Sequence, residues 1–103
     1  MNMQQMVQAM QKMQRQYEKE HKMLEETDFE YTANGAVKIV LKGNLEMVSL
    51  EFLDEELLKD DPEMVSDMIK LAYQGARSQI QAAEDALEAK FQQNAKGKGG
   101  MMF

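Results

Sequence analysis

The 103-residue chain contains no cysteine and a single histidine, His21. The first absence removes disulfides, thiolate nucleophiles and cysteine-based zinc sites together, and is ordinary for a reduced cytoplasm. The second leaves too few imidazoles for a nucleophile–base pair or a His-rich metal site within one chain. No apolar run reaches the ~18 residues that a membrane span needs, and the start lacks the uninterrupted apolar stretch of a signal peptide. These absences point to a soluble cytoplasmic protein that is not an enzyme, with no cofactor, no metal, no small-molecule substrate and no membrane partner.

Two clusters imitate sites without meeting their chemistry. The carboxylates Asp54, Glu55, Glu56, Asp60 and Asp61 lack the alternating spacing, the glycine and the closing glutamate of a calcium loop, and read as a solvated loop with a helix cap. Gly97-Lys98-Gly99-Gly100 has the letters of a phosphate loop but no strand before it and no Ser or Thr after the lysine.

Net charge is −6, distributed unevenly. Residues 1 to 25 carry four Lys/Arg against three Glu, residues 26 to 62 three against ten acids, and residues 63 to 103 five against five. The acidity belongs to the middle, so a polyanion would be met by the helical ends.

The strongest pattern is a heptad seam. Met3, Met10, Tyr17 and Leu24 fall at a, Met6 and Met13 at d, and the charged Glu20 interrupts d, where the apolar contact is expected to loosen or reach water. On the same register Lys12, Arg15, Lys19 and Lys22 occupy c and f, opposite the seam. His21, at e, is expected on the solvated surface. Methionine at this spacing is adaptable core filler first and a promiscuous binding groove second. The stripe needs more cover than a chain this short can readily supply, which favours a two-fold homodimer.

The predicted elements run in the order α–β–β–β–α. A helix from Met3 to Glu25 is followed by strands at Phe29–Ala33, Ala36–Lys42 and Leu45–Phe52, joined by Asn34-Gly35 as a type I′ turn and by Gly43-Asn44. Val37, Ile39 and Leu41 share a face with Val48, Leu50 and Phe52, Val48 lying opposite Ile39 and Leu50 opposite Val37. A two-residue turn at Asn34-Gly35 would put Phe29 and Tyr31 on the other face. Either a bulge or wider turn shifts the first strand by one, or both sheet faces are covered. After the acidic loop, Asp61 caps a helix with Pro62 at its first position. Its stripe, Val65, Ile69, Ala72, Ala76, Ile80, Ala83, Leu87 and Phe91, ends near Asn94, and Gly75 permits close packing. One domain thus spans residues 1–95, with a flexible Gly/Lys-rich tail over 96–103.

Taken in order, the Met/Gln-rich opening (Met3-Gln4-Gln5-Met6 through Gln11-Lys12-Met13-Gln14), Val37-Lys38-Ile39-Val40-Leu41-Lys42-Gly43, Leu50-Glu51-Phe52 and Leu57-Leu58-Lys59-Asp60-Asp61-Pro62-Glu63-Met64 leading into an Ala-rich helix resemble the YbaB/EbfC family of bacterial nucleoid-associated proteins. The Gly-rich tail with Phe103 is similar to that family's ends. Two features depart from it: the glycine-rich turn is trimmed to Asn34-Gly35, and Leu53-Asp54-Glu55-Glu56 replaces an Asp-Pro. The resemblance implies an α+β fold, a three-stranded antiparallel meander flanked by two long helices in a dimeric, tweezers-like architecture. It implies a nucleoid location and duplex DNA as partner, bound with little sequence preference. Lys12, Arg15, Lys19 and Lys22, extended by Lys70, Arg77 and the cations at Lys90, Lys96 and Lys98, are the candidate DNA contacts. Met3, Met6, Met10, Met13, Tyr17 and Leu24 are candidates for dimer or arm packing. The alternative is a coiled-coil-type interaction module whose Met-lined arms clasp a protein, with negligible affinity for DNA.

Overall fold

The computed structural model describes residues 2–59 and 61–99, apart from the side chains of Leu57, Leu58 and residues 93–99. It contains helix α1 (Met3–Glu26), strands β1 (Asp28–Ala33), β2 (Val37–Lys42) and β3 (Met47–Phe52), a short helix α2 (Glu55–Lys59) and a long helix α3 (Pro62–Gly99). The strands form one antiparallel sheet in the order β1-β2-β3. This is the α-β-β-β-α, α+β arrangement expected from the sequence.

Local chemistry accounts for the helix starts. Asn2 caps α1 with a capping box: its side-chain oxygen accepts from the Gln5 amide at 2.7 Å, and the Gln5 side chain accepts from the Asn2 amide at 3.2 Å. Asp61 caps α3 by accepting from the Met64 amide at 3.2 Å, with Pro62 at the first helical position where no amide is needed. Within the expected acidic loop the backbone instead makes one short helix, α2, with Glu55 and Glu56 in its first turn, a favourable place for negative charge. The backbone of α3 continues past Asn94 to Gly99, so the boundary drawn near Asn94 falls short.

The register of β1 resolves the alternatives left by the sequence. Asn34 and Gly35 both have positive φ, 50° and 69°, as a type I′ turn requires, and the Ala36 amide donates to the Ala33 carbonyl at 2.9 Å. Strand pairing then begins at Ala33↔Val37, so Ala36 is an extra residue in the connection. The wider turn puts Phe29 opposite Leu41 and Tyr31 opposite Ile39, on the core face.

The pairing of β3 differs from expectation. Leu50 lies opposite Ile39 and Phe52 opposite Val37, with a bulge at Val48 between the pairs Val40↔Ser49 and Leu41↔Met47. The cause is the loop: Gly43, Asn44 and Leu45 make a three-residue turn with Leu45 at φ 74°, and the Lys42 amide donates to the Glu46 carbonyl. One added loop residue and one bulged residue move the register by two, and Val48 leaves the core.

The core is narrow. Val37, Ile39 and Leu41 are fully buried beneath Met68, Ala72, Ala76 and Ile80 of α3, with Phe29 and Leu50 packed at the margin. Small residues let α3 sit close: a Cβ at Gly75 would collide with the Tyr31 ring. Because α3 lies across β1 and β2, the outer strand β3 is uncovered. Val48 and Phe52, expected in the core, are 48% and 45% exposed.

Candidate nucleic-acid interface

From the sheet, α1 projects as an arm against the C-terminal part of α3. Its base is tied down by backbone hydrogen bonds from Gly43 to the Thr27 carbonyl (2.9 Å) and from Asn44 to the Glu25 carbonyl (3.2 Å). Along the arm, Tyr17 meets Phe91 edge-on with ring centroids 5.4 Å apart, and stacks on His21 at 5.8 Å. Glu20 reaches water beside this contact, with its side chain 28% exposed. Its carboxylate accepts a 2.8 Å hydrogen bond from Lys90 Nζ, which also lies 5.5 Å from the Phe91 ring centroid. That bond holds the Glu20 pKa below the ordinary carboxyl range against partial burial, and the Lys90 charge and the Gln16 side chain act in the same direction. His21, expected on the solvated surface, keeps 39% of its side chain exposed, and its Nδ1 lies 3.6 Å from the Glu25 carboxylate.

Turning the seam toward α3 turns the c and f positions outward. Lys12, Arg15, Lys19 and Lys22 are all exposed, and among the described residues none of them is in an ion pair. Ten residues separate Lys12 from Lys22, about 15 Å of helix at 1.5 Å per residue. The next c position is Glu26, which ends the stripe at the body of the molecule. Such a row suits a string of phosphates, which demands charge at intervals and no base-edge geometry.

The remaining candidate cations separate into two groups. Lys70 and Arg77 are exposed on α3, two turns apart, on the stretch of that helix that covers the sheet and not on the arm. Arg77 borders an open recess shared with Glu25 and Glu84, whose carboxylates oppose anion binding there. Lys90 is committed to Glu20, which the sequence reading of it as a free cation missed. The charged d position at Glu20 was the one signal that a cation would face it. The side chains of Lys96 and Lys98 lie outside the described residues. Lys38 and Lys42 on the sheet are paired with Glu30 and Glu46.

The seam residues divide as well. Met13, Tyr17 and Leu24 are half-buried, whereas Met3, Met6 and Met10 are exposed. Among the described residues there is no group of His, Cys, Asp and Glu able to hold a metal, and no helix long and apolar enough to cross a membrane.

The model of the YbaB/EbfC DNA-binding family matches residues 1–96. The chain is 36% identical over 100 residues to a nucleoid-associated protein of Hyphomonas neptunium, covering 95% of this chain and 89% of that one. It is 32% identical over 98 residues to a nucleoid-associated protein of Ligilactobacillus salivarius, with 94% of each covered. In three dimensions it matches the crystal structure of an uncharacterized protein of Helicobacter pylori with a TM-score of 0.70 at 18% identity, over 87% of this chain and 96% of that one. With the family's model matching residues 1–96, this chain belongs to the YbaB/EbfC DNA-binding family.

Proposed function

We propose that this protein is a nucleoid-associated protein that binds duplex DNA as a homodimer with little sequence preference, organising the chromosome and thereby able to modulate expression. The observation that carries this reading is the row Lys12, Arg15, Lys19 and Lys22, exposed and unpaired among the described residues on one face of α1 in a chain of net charge −6. Cations displaced from phosphates drive such binding, and a helix touching only the backbone positions itself without reading sequence. The acidic middle segment keeps the affinity modest.

Support for a homodimer comes from β3. Met47, Val48 and Phe52 are exposed along the outer strand, Met47 paired with the buried Leu41 and Phe52 with the buried Val37, and Leu53 is exposed just after it. A second copy of the chain extends the core across this strip, and the two arms then project from a shared body.

The test is a salt titration of binding to unrelated duplexes. Parent protein should bind each of them similarly, with affinity falling steeply as salt rises. Changing Lys12, Arg15, Lys19 and Lys22 together to Glu should abolish binding and leave oligomer mass and helical content intact. Undiminished binding by that variant would move the contact surface to Lys70, Arg77 and the C-terminal lysines. No binding by the parent at low ionic strength would favour the protein-interaction module instead.

A further inference from the structure

Glu20 lies on the side of the seam that leads to the basic face. Lys12, Gln16 and Glu20 are successive i, i+4 neighbours along α1, and Lys19 stands three residues beyond Gln16 on the same side. The Gln16 side chain hydrogen-bonds the Glu20 carboxylate and favours its charged form, so the row is continuous up to that group. Lys90 brings its ammonium from α3 to the end of this row, 2.8 Å from Glu20 Oε1, with its side chain 53% exposed. Lys12 to Glu20 is about 12 Å of helix, within the length that the basic face already occupies.

The two edges of the arm differ in charge. On the Lys90 side of α3, Ala86 and Ala83 stand four and seven residues before the lysine and carry none. On the other edge Glu25 and Glu84 border the recess, and Glu88 lies about 200° around α3 from Lys90, at about 100° per residue. A polyanion laid on the basic face thus meets Lys90 before any of those carboxylates. Lys90, however, is already neutralised by Glu20. Moving it to a phosphate would strip Glu20 of its cation, and Glu20 Oε2 is out of solvent contact with no hydrogen-bond partner among the described residues. That loss opposes the transfer.

We propose that Glu20 restrains DNA binding, holding Lys90 in an internal ion pair and so keeping a fifth cation of the arm from contacting phosphate. This rests on the DNA-binding reading of the arm. Glu20 acts through Lys90 and touches no DNA itself.

Salt titrations of binding to one duplex, run on the parent and four variants, test it. Glu20→Gln should bind several-fold tighter at about 0.1 M salt, and its logarithmic salt slope should steepen by about 0.9 for each arm on the DNA. Lys90→Gln should keep the parent slope. Adding Glu20→Gln to Lys90→Gln should leave the slope unchanged, and since both variants with Glu20→Gln lose the same bond, comparing them cancels any loosening of the arm. Glu88→Gln, which removes the same charge from the other edge, should keep the parent slope. An unchanged slope in Glu20→Gln would overturn the proposal. So would a slope reduced by about 0.9 in Lys90→Gln, because Lys90 would then already touch phosphate in the parent. A parent that binds no DNA at low ionic strength would overturn the DNA-binding reading and this proposal with it, so the parent curve tells the two failures apart.

Discussion

Leu45 sits at φ 74°, a left-handed conformation that crowds a side chain against the following carbonyl and costs roughly 1–2 kcal/mol for residues other than glycine. Leu45→Gly removes that crowding and adds freedom to the unfolded chain, so a net stabilisation of up to about 1 kcal/mol is expected. A drop in the urea midpoint would show that the Leu45 side chain contributes more by packing than its backbone costs. Gly75 behaves oppositely. Alanine would gain about 1 kcal/mol in helix propensity but would strike the Tyr31 ring, and overpacking typically costs ~1–3 kcal/mol, so Gly75→Ala should destabilise overall. The Glu20–Lys90 bond makes the arm sensitive to acid. Because the bond lowers the Glu20 pKa from its ordinary 4.5, its contribution is complete above that value and is lost as pH falls through the lowered one. Amide protection in α1, taken relative to the intrinsic exchange rate at each pH, should therefore fall below pH 4.5, and Glu20→Gln should flatten that profile; an identical profile in the variant would place the acid sensitivity elsewhere.

At the scale of elements, the same residues decide what was legible. Helix caps and turns are local: Asn34-Gly35 needs two positive φ angles and Asp61-Pro62 offers a side-chain acceptor and a missing amide, so both could be read from neighbours in sequence. Strand register is not local. Ala36 gives no sign that it will lengthen the first turn, and a leucine at 45 conceals the left-handed residue that lengthens the second. The candidate site shows the same division, for the heptad phase that turns Lys12 to Lys22 outward is periodic, whereas the partner of Glu20 lies 70 residues away. Burial then ranks the sheet substitutions. Ile39→Ala should cost roughly 2–5 kcal/mol, the range for fully buried aliphatic residues. In the isolated monomer, where β3 has no second copy against it, half-exposed Val48→Ala should stay within about 0.5 kcal/mol, as surface changes do. Equal shifts in thermal midpoint would contradict the bulge at Val48.

The whole molecule is long for its mass, with a radius of gyration of 20.1 Å and extents of 69 × 26 × 15 Å, against the ~13 Å radius of a compact chain of 100 residues. Its body is thin and its arm reaches far from it, a shape that under the proposed function would spread few cations along a long polyanion. In a homodimer joined through β3, two copies of the four-cation arm can engage DNA together. Neutralising about eight phosphates predicts a slope near −7 in the logarithm of affinity against the logarithm of salt, and a single arm gives about half of that. Placing charge on the strip with Phe52→Glu and Leu53→Glu should yield a monomer of 11.8 kDa by light scattering, because neither side chain is buried within its own chain and the fold survives the change. That monomer should bind DNA more weakly and with about half the salt slope of the parent. If the parent itself is a monomer, or if the slope is the same in both proteins, the two arms do not act together on one duplex and the tweezers arrangement is wrong.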